Sequence, residues 1–376
     1  MLGSDYGEEE VEAAVRAIRS SMDPIVGFGY DCEEILAFEA EFASYCGTEY
    51  AVTTNGAGTG LDMSMMALSL EPGDEVICPT INFRGALMAI LGQGGKLVLC
   101  ESDAKTLNAD PNDAERRITS RTRAFLITHM NGLSFPVDDF VTLAERYPHP
   151  RYGPLKVIGD AARACGGRYN GTRIGKKGWM NVFSFHTAKN MTTLGEGGAV
   201  TTDDPDLVPR LKASRQFGWD GWGSNYKMTK VQAAVGSVQL KRLDGLVASR
   251  RRLAHERTRM LEGCPGLQLP HEPAGYLHSY YLYSILVAPD WAGEKRDRLI
   301  QMMKDLYGVG CVVANPPVHQ QVPYVARFTQ GQDLPVSLQI GQRLFCPPIH
   351  PRMSDEDNEY IAAAVWDVVE RIAGEG

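Results

Sequence analysis

The sequence predicts an α/β protein with a mainly parallel central sheet and a smaller C-terminal domain. Three observations carry that reading. Short apolar runs of strand length alternate with helical segments from residue 50 to residue 160. The alternation gives way near residue 240 to one long, arginine-rich helical stretch. The chain, at 376 residues, also exceeds the size at which a single hydrophobic core usually stops growing.

In chain order, "YAVTT" (50–54) reads as a strand, and "TGLDMSMMALSL" (59–70) as a helix with Leu61, Met65 and Leu68 on one face. "DEVICP" (74–79) is a strand, "RGALMAILGQ" a helix, "KLVLCE" (96–101) a strand and "NDAERRI" a short helix. "RAFLIT" (123–128), "DDFVTLAERY" and "LKVIGD" (155–160) repeat the alternation. Strands of four to eight apolar residues separated by helices are those of a sheet covered on both faces. The helical run 229–261 then leads into "EGCPGLQLPHEPAGYLHSYYLYSILVAP", punctuated by Pro and Gly. A boundary is expected at 245–262, giving a larger body over 1–245 and, over 246–376, a connecting helix with a smaller domain. The "RRR" run at 250–252 is expected to be a solvated helix face, with phosphate binding as the minor alternative.

Composition excludes several classes. Hydrophobic residues make up 44% and charged residues 22% of the chain, as in ordinary globular proteins. A net charge of −8 argues against nucleic acid as partner. No apolar run approaches the ~20 residues of a membrane-spanning helix. The acidic, amphipathic start "MLGSDYGEEEVEAAVRAIRSS" is unlike a secretory or transit peptide, so a cytoplasmic location is expected. The eight cysteines are scattered without a CxxC pair, pointing to reduced thiols. The histidines form no HxxxH or HExxH pattern, and no metal site is expected.

Three features should meet at the carboxyl ends of the strands, where open α/β sheets bind ligands. "TTNGAGTGL" (53–61) joins a strand to a helix through three glycines, exposing backbone N–H groups suited to a phosphate. "VIGDAARA" (157–164) ends its strand on Asp160, an acid in an apolar setting that needs a partner. "FSFHTAKN" (183–190) brings Ser184 and Lys189. Each has an ordinary reading too: a tight turn, a helix cap, a surface lysine. Together they are the fixtures that hold the phosphate, ring nitrogen and aldehyde carbon of pyridoxal 5′-phosphate. On this reading the glycines beside Lys189 let the cofactor approach closely.

With these fixtures in place, the sequence resembles the pyridoxal-phosphate-dependent sugar aminotransferases of the DegT–DnrJ–StrS group, which have the aspartate aminotransferase fold (fold type I). The resemblance runs through "GDEVICPTINF" (73–83), "THMNGLSFPVDDF" (128–140), "VIGDAARACGG" (157–167), "FSFHTAKNMTTLGEGGAVTTDD" (183–204), "GSNYKMTKVQAAVGSVQLKRLD" (223–244) and "LFCPPIHPRMSDED" (344–357). It implies that Lys189 holds the cofactor covalently and then moves the proton between substrate and cofactor. It further implies that Asp160 pairs with the ring nitrogen, that Phe83 stacks on the ring, and that Gly58, Thr59 and Ser184 bind the phosphate. Asn225 is implied to reach the cofactor phosphate of a neighbouring subunit, which makes a homodimer with shared active sites the functional unit. The ordinary reading of Phe83 is a core phenylalanine, and the match to the motif favours stacking. His186 faces the substrate or is simply packed, and His319 lies where the smaller domain closes on the substrate.

Departures from the family pattern fall on the substrate side. Arg163 stands where His, Gln or Glu usually contacts the cofactor's 3-oxygen, and by that position the resemblance places it among the cofactor-binding residues. Arg84 follows Phe83 where a small or apolar residue is common, Lys227 replaces an arginine and Asn315 a histidine. Arg84 and Arg163 are either ordinary surface or ion-paired arginines or, if buried at the site, binders of a carboxylate or phosphate.

The resemblance thus implies transfer of an amino group from glutamate or glutamine to a keto-sugar, nucleotide-linked, or to a keto-cyclitol, in secondary-metabolite or surface-sugar biosynthesis. The alternative is a pyridoxal-dependent dehydratase or other eliminating or replacing enzyme; sugar-dehydrating relatives carry histidine where this chain has Lys189. A pyridoxal-binding regulatory protein is the remote alternative, and no DNA-binding extension or basic patch supports it.

Overall fold

A computed structural model describes residues 5–23, 25, 32–219 and 221–374. The central sheet has seven strands: β1 (Tyr50–Thr54), β2 (Glu75–Pro79), β3 (Lys96–Cys100), β4 (Thr122–Thr128), β5 (Lys156–Asp160), then, after the two-residue strands β6 (Arg168–Tyr169) and β7 (Thr172–Arg173), β8 (Met180–Ser184) and β9 (Gly198–Thr202). Their order is β1-β9-β8-β5-β4-β2-β3. All neighbours are parallel except β9, which runs antiparallel to both β8 and β1. The mainly parallel sheet is therefore as expected. The reversal at β9 follows from the short connection after Lys189, which has no room for a crossover helix.

Helices α1 (Glu8–Ser20), α2 (Glu33–Cys46), α3 (Ala57–Leu68), α4 (Arg84–Gly92), α5 (Pro111–Arg116), α6 (Val137–Arg146) and α7 (Leu207–Arg215) surround the sheet. Apolar side chains of α3 and α4, including Met63, Leu87 and Ile90, cover one face with Val76, Leu126 and Ile158. Phe38 and Phe42 of α2 cover the other, packed edge-on against Phe183 and Phe185. Beneath β1, Arg215 and Glu39 form a buried ion pair at 2.6 Å, and Glu39 also accepts the Thr53 N–H and hydroxyl.

Helix α8 (Lys230–Leu261) opens with a capping box in which Thr229 and Gln232 satisfy each other's backbone N–H groups. Leu240, Leu243 and Val247 around its middle join the α2 core, whereas Leu253, Ala254 and Leu261 further along join a separate C-terminal core. Around that second core lie the short strands β10 (Leu267–Gln268), β12 (Ile285–Val287) and β13 (Leu344–Phe345). Strand β11 (Tyr276–Leu277) pairs instead with β6. Helices α9 (Glu294–Tyr307) and α13 (Asp355–Ala373) complete the C-terminal core. The small helices α10 (Val318–Gln321) and α11 (Pro323–Ala326) lead to α12 (Pro335–Arg343). Val318, Val325 and Leu334 of this segment pack on the sheet core, and Gln332 hydrogen-bonds the backbone of edge strand β3.

The arginine run corrects the expectation of a solvated face. Arg250 is 1% exposed and donates to the carbonyls of Tyr280 and Ile349. Arg251 pairs with Glu272, and only Arg252, paired with Glu256 and Asp355, lies on the surface. The helix here is enclosed by the second core, so its guanidinium groups reach backbone carbonyls across it. All eight cysteines are free thiols, seven of them buried. Among the described residues no helix is long and apolar enough to cross a membrane, and no cluster of metal-binding side chains occurs.

The start of the described chain is tied down at three places. The Tyr6 hydroxyl hydrogen-bonds Thr192 Oγ1 and accepts the Leu194 N–H, both at 3.0 Å. Asp5 pairs with Arg242 of α8 and with Arg352 of the C-terminal part.

Candidate active site

Strand register assembles the site. Asp160, the last residue of β5, lies opposite Val182 of β8. Two residues further, Ser184 lies opposite Gly198, and Gly198 is in turn opposite Thr54, the last residue of β1. One edge of the sheet thus presents Asp160, Ser184 and the turn that leads from Thr54 into α3.

That turn starts the helix at Ala57, two residues earlier than the sequence suggested, with Gly56 in an extended conformation. Thr59 Oγ1 donates to Gly56 O at 2.7 Å and lies 2.9 Å from Asn55 Oδ1. A β-carbon at Gly58 would meet nothing within 4 Å, so the first turn faces open space. Gly60 explains how close the helix sits: a β-carbon there would fall 2.7 Å from Val182 Cγ1. Unpaired N–H groups at the start of a helix held this tightly form an anion seat.

The connection from β8 to β9 carries Lys189. It is closed by hydrogen bonds from Phe185 N–H to Gly197 O and from Thr193 N–H to Phe185 O. Its glycines serve that closure. Gly197 has φ +154°, and a β-carbon on it would lie 2.0 Å from Thr193 Oγ1; one on Gly198 would strike the backbone of Phe183, Gly56 and Ala57. At Gly198 the missing side chain lets backbone meet backbone, a packing need beside the close approach of the cofactor read from the sequence.

Lys189 is half-buried, with its Nζ 4.7 Å from the centre of the Tyr281 ring. Burial, assisted by the nearby Arg163 guanidinium, lowers its pKa to about 7. Asp160 is 4% exposed and accepts the Ala162 N–H at 3.0 Å. Burial raises its pKa, against the pull of that N–H and of the Arg163 and Lys189 charges. The two groups that must carry opposite charges are thus both pushed toward neutrality, which marks a functional pocket.

The other predicted residues are placed as follows. Phe83 is 56% exposed at the start of α4, its ring available rather than in the core. Arg84 is exposed beside it, with Cζ 5.8 Å from the Phe83 centroid, so it is not a buried arginine. Arg163 is half-buried, donates to Asn131 Oδ1 at 2.9 Å and faces Tyr281 at 5.7 Å; burial lowers its pKa. His186 lies 3.8 Å from Glu196 and accepts the Ala188 N–H. His319 Nδ1 is 2.6 Å from Thr80 Oγ1, bringing α10 against the segment that carries Phe83. Burial lowers the His319 pKa. Lys227 Nζ lies 4.9 Å from the Phe217 ring. Asn225 is exposed, and its carbonyl faces Asn55 Nδ2 at 3.4 Å within the same chain. Asn315 is buried and donates to Asn131.

The donor set fits pyridoxal phosphate: a buried acid that has no directly paired cation among the described residues, an amine poised near neutrality, and a helix start open to an anion. A comparison with known families then decides the matter, for a profile of the DegT/DnrJ/EryC1/StrS aminotransferase family matches residues 6–366. The chain belongs to that family. It is a pyridoxal-phosphate-dependent aminotransferase, in keeping with the resemblance read from the motifs. It is 32% identical to the spore coat polysaccharide biosynthesis protein SpsC of Bacillus subtilis, with 96% of this chain and 95% of that protein covered. It is also 32% identical to the dTDP-3-amino-3,4,6-trideoxy-alpha-D-glucose transaminase of Streptomyces venezuelae, over 96% and 93% of the two chains. The crystal structure of S. venezuelae DesV superposes with a TM-score of 0.88 at 32% identity, covering 97% of this chain and 95% of that one.

In this aminotransferase the bound cofactor supplies an electron sink that weakens bonds at the carbon bearing the transferred nitrogen. The protein's part is to hold it, to exclude water and to move a proton. Asp160 would take the ring N–H, Lys189 the aldehyde carbon, and the first turn of α3 with Ser184 the phosphate. An amine with a pKa of about 7 can both accept and return a proton at neutral pH.

Two residues at the site escaped the sequence reading. Tyr281, in "HSYYLYS", covers both Lys189 and Arg163, and nothing in the local sequence marks it. Asn131 has φ 51°, with Gly132 at φ 114°. The Asn-Gly pair that signals such a turn was visible inside "THMNGL".

Proposed function

We propose that this aminotransferase moves an amino group from glutamate or glutamine to the ketone of a keto-sugar, nucleotide-linked, or of a keto-cyclitol, in secondary-metabolite or surface-sugar biosynthesis. The observation that carries the reading is Lys189: an enclosed amine whose pKa falls to about 7, in one pocket with the buried Asp160. The sugar half rests on the Streptomyces venezuelae relative, whose name is that of a sugar transaminase.

In this reading Lys189 carries the cofactor and shuttles the proton, Asp160 holds the ring nitrogen, and Phe83 lies on the ring face. Gly58, Thr59 and Ser184 take the phosphate, while Arg84, His186, Lys227 and His319 line the substrate side. The chain divides at about residue 245, inside α8. It works as a homodimer, with Asn225 completing the partner's phosphate site. Phe217, Trp219 and Trp222 precede Asn225 and are 66%, 89% and 66% exposed, more apolar surface than a solvated loop carries.

The test loads the protein with the pyridoxamine form of the cofactor and offers a panel of keto-sugars and keto-cyclitols. Return of the absorbance of lysine-bound cofactor, with an amino product that keeps its hydroxyl groups, supports the proposal. Loss of a hydroxyl in the product would place the enzyme among the eliminating relatives. Light scattering checks the dimer.

A further inference from the structure

No carboxylate of the described residues meets the positive charge of Arg163 directly. Among the described residues its guanidinium donates to one acceptor, the neutral Asn131 Oδ1 at 2.9 Å. Asp160 acts on it only at longer range and opposes the dominant effect of burial, which lowers the Arg163 pKa. Arginine offers five N–H donors, so most remain to be matched. A half-buried guanidinium with most of its donors unmatched is stabilised when an anion joins it.

Its position is fixed on purpose-built supports. Asn131 is 2% exposed, and its Oδ1 also accepts from Asn315 Nδ2 at 3.2 Å, while its own Nδ2 donates to Ser284 Oγ at 2.9 Å. The amide therefore cannot turn to present its NH2 to Arg163. Asn131 and Asn315 both hold left-handed backbone conformations, with φ 51° and 59°, which cost energy and recur at functional sites. Arg163 and Asn315, two of the positions where the chain departs from its family, thus meet on one oxygen. Arg163 also shares the Tyr281 ring with Lys189, at 5.7 and 4.7 Å from its centroid, and its charge acts on the reacting amine.

We propose that Arg163 binds the α-carboxylate of the amino-acid donor, positioning the donor's amino-bearing carbon against Lys189. The proposal rests on the aminotransferase reading. An α-amino acid places a carboxylate one bond from the reacting carbon, and the planar guanidinium fork matches it bidentately. Asp160, given to the cofactor ring, leaves Arg163 as the nearby charge for that carboxylate.

The experiment follows the conversion of the cofactor-loaded enzyme to its pyridoxamine form by L-glutamate, L-glutamine and 4-aminobutyrate, which lacks the α-carboxylate. In the natural protein, glutamate should outpace 4-aminobutyrate. In Arg163→Gln the half-saturating glutamate concentration should rise roughly tenfold or more, the preference over 4-aminobutyrate should collapse, and Arg163→Lys should restore part of both. Damage to the return half-reaction with an uncharged ketone should be much smaller. Unchanged glutamate saturation in Arg163→Gln overturns the proposal. So does a variant that keeps its glutamate affinity but shifts the pH titration of the bound chromophore, since the guanidinium would then serve the ring's 3-oxygen. If no amino acid converts the natural protein at all, the aminotransferase reading itself has failed, before Arg163 is reached.

Discussion

The amine nitrogen of Lys189 lies 4.7 Å from the centre of the Tyr281 ring, which the C-terminal part of the chain delivers to a loop of the central sheet. The ring shields the amine from water, and an amine denied water sheds its proton more readily.

This shielding has a direct readout. In the cofactor-free protein, covalent labelling of Lys189 by a small amine reagent should reach half its maximal rate near pH 7, because only the neutral amine reacts. In Tyr281→Ala the midpoint should move up toward the ordinary lysine value of about 10.4. Peptide mapping of the labelled site across a pH series measures both. A midpoint near 10 in the natural protein would remove the basis for proton shuttling by this amine.

Asp160 should show a trade between stability and binding. Asp160→Asn removes a buried carboxylate that, among the described residues, has no directly paired cation, so the cofactor-free variant should gain about 1 kcal/mol, about 1 °C in melting temperature for a chain of this size. It should also bind pyridoxal phosphate roughly a hundredfold more weakly, the scale of one lost charge-assisted hydrogen bond. Calorimetry and fluorescence titration check the pair of effects. Tight binding by the variant would place the ring nitrogen elsewhere.

Gly198→Ala tests the join between the two strand ends. The added carbon would sit 2.7 Å from Phe183 O and 2.8 Å from the Gly56 carbonyl carbon, and backbone cannot yield as a side chain can. A loss of about 2 kcal/mol or more is expected from such overpacking. Gly58→Ala meets only open space on the same turn and should leave the cofactor-free protein nearly as stable. Urea denaturation distinguishes the two.

Buried histidines set the acid limit of the fold. His129 and His278 both have pKa values pushed down to about 3 by burial. The unfolded chain, with histidines near 6.5, therefore binds more protons between those values than the native state does. Stability present above pH 6.5 should fall as the pH drops toward 3, by about 1.4 kcal/mol per unit for each histidine. Denaturation at pH 7, 6 and 5 should show this slope, and His278→Phe, which keeps a ring against Tyr280, should reduce it by one histidine's share.

The alternation of strand and helix was legible in the sequence because each buried strand is a short apolar run closed by Gly, Pro or Asp. Asp160 and Lys189 stood out because a charged residue at the end of such a run has no structural need to be there. The reversal of β9 was not legible, since "GGAVTT" reads the same in either direction. Nor was the enclosure of Arg250, which depends on carbonyls of Tyr280 and Ile349 far along the chain. Tyr281 was hidden for the same reason: its role comes from tertiary contact, to which a local pattern is blind.

The anchoring of Tyr6 to Thr192 and Leu194 has a practical corollary. Cargo fused ahead of Asp5 would pull on the segment just past Lys189, and a cleavage that removes Tyr6 would release it. Expression vectors with the affinity handle at the opposite terminus would keep that tether slack, and catalytic rates compared across differently tagged preparations should be read with it in mind.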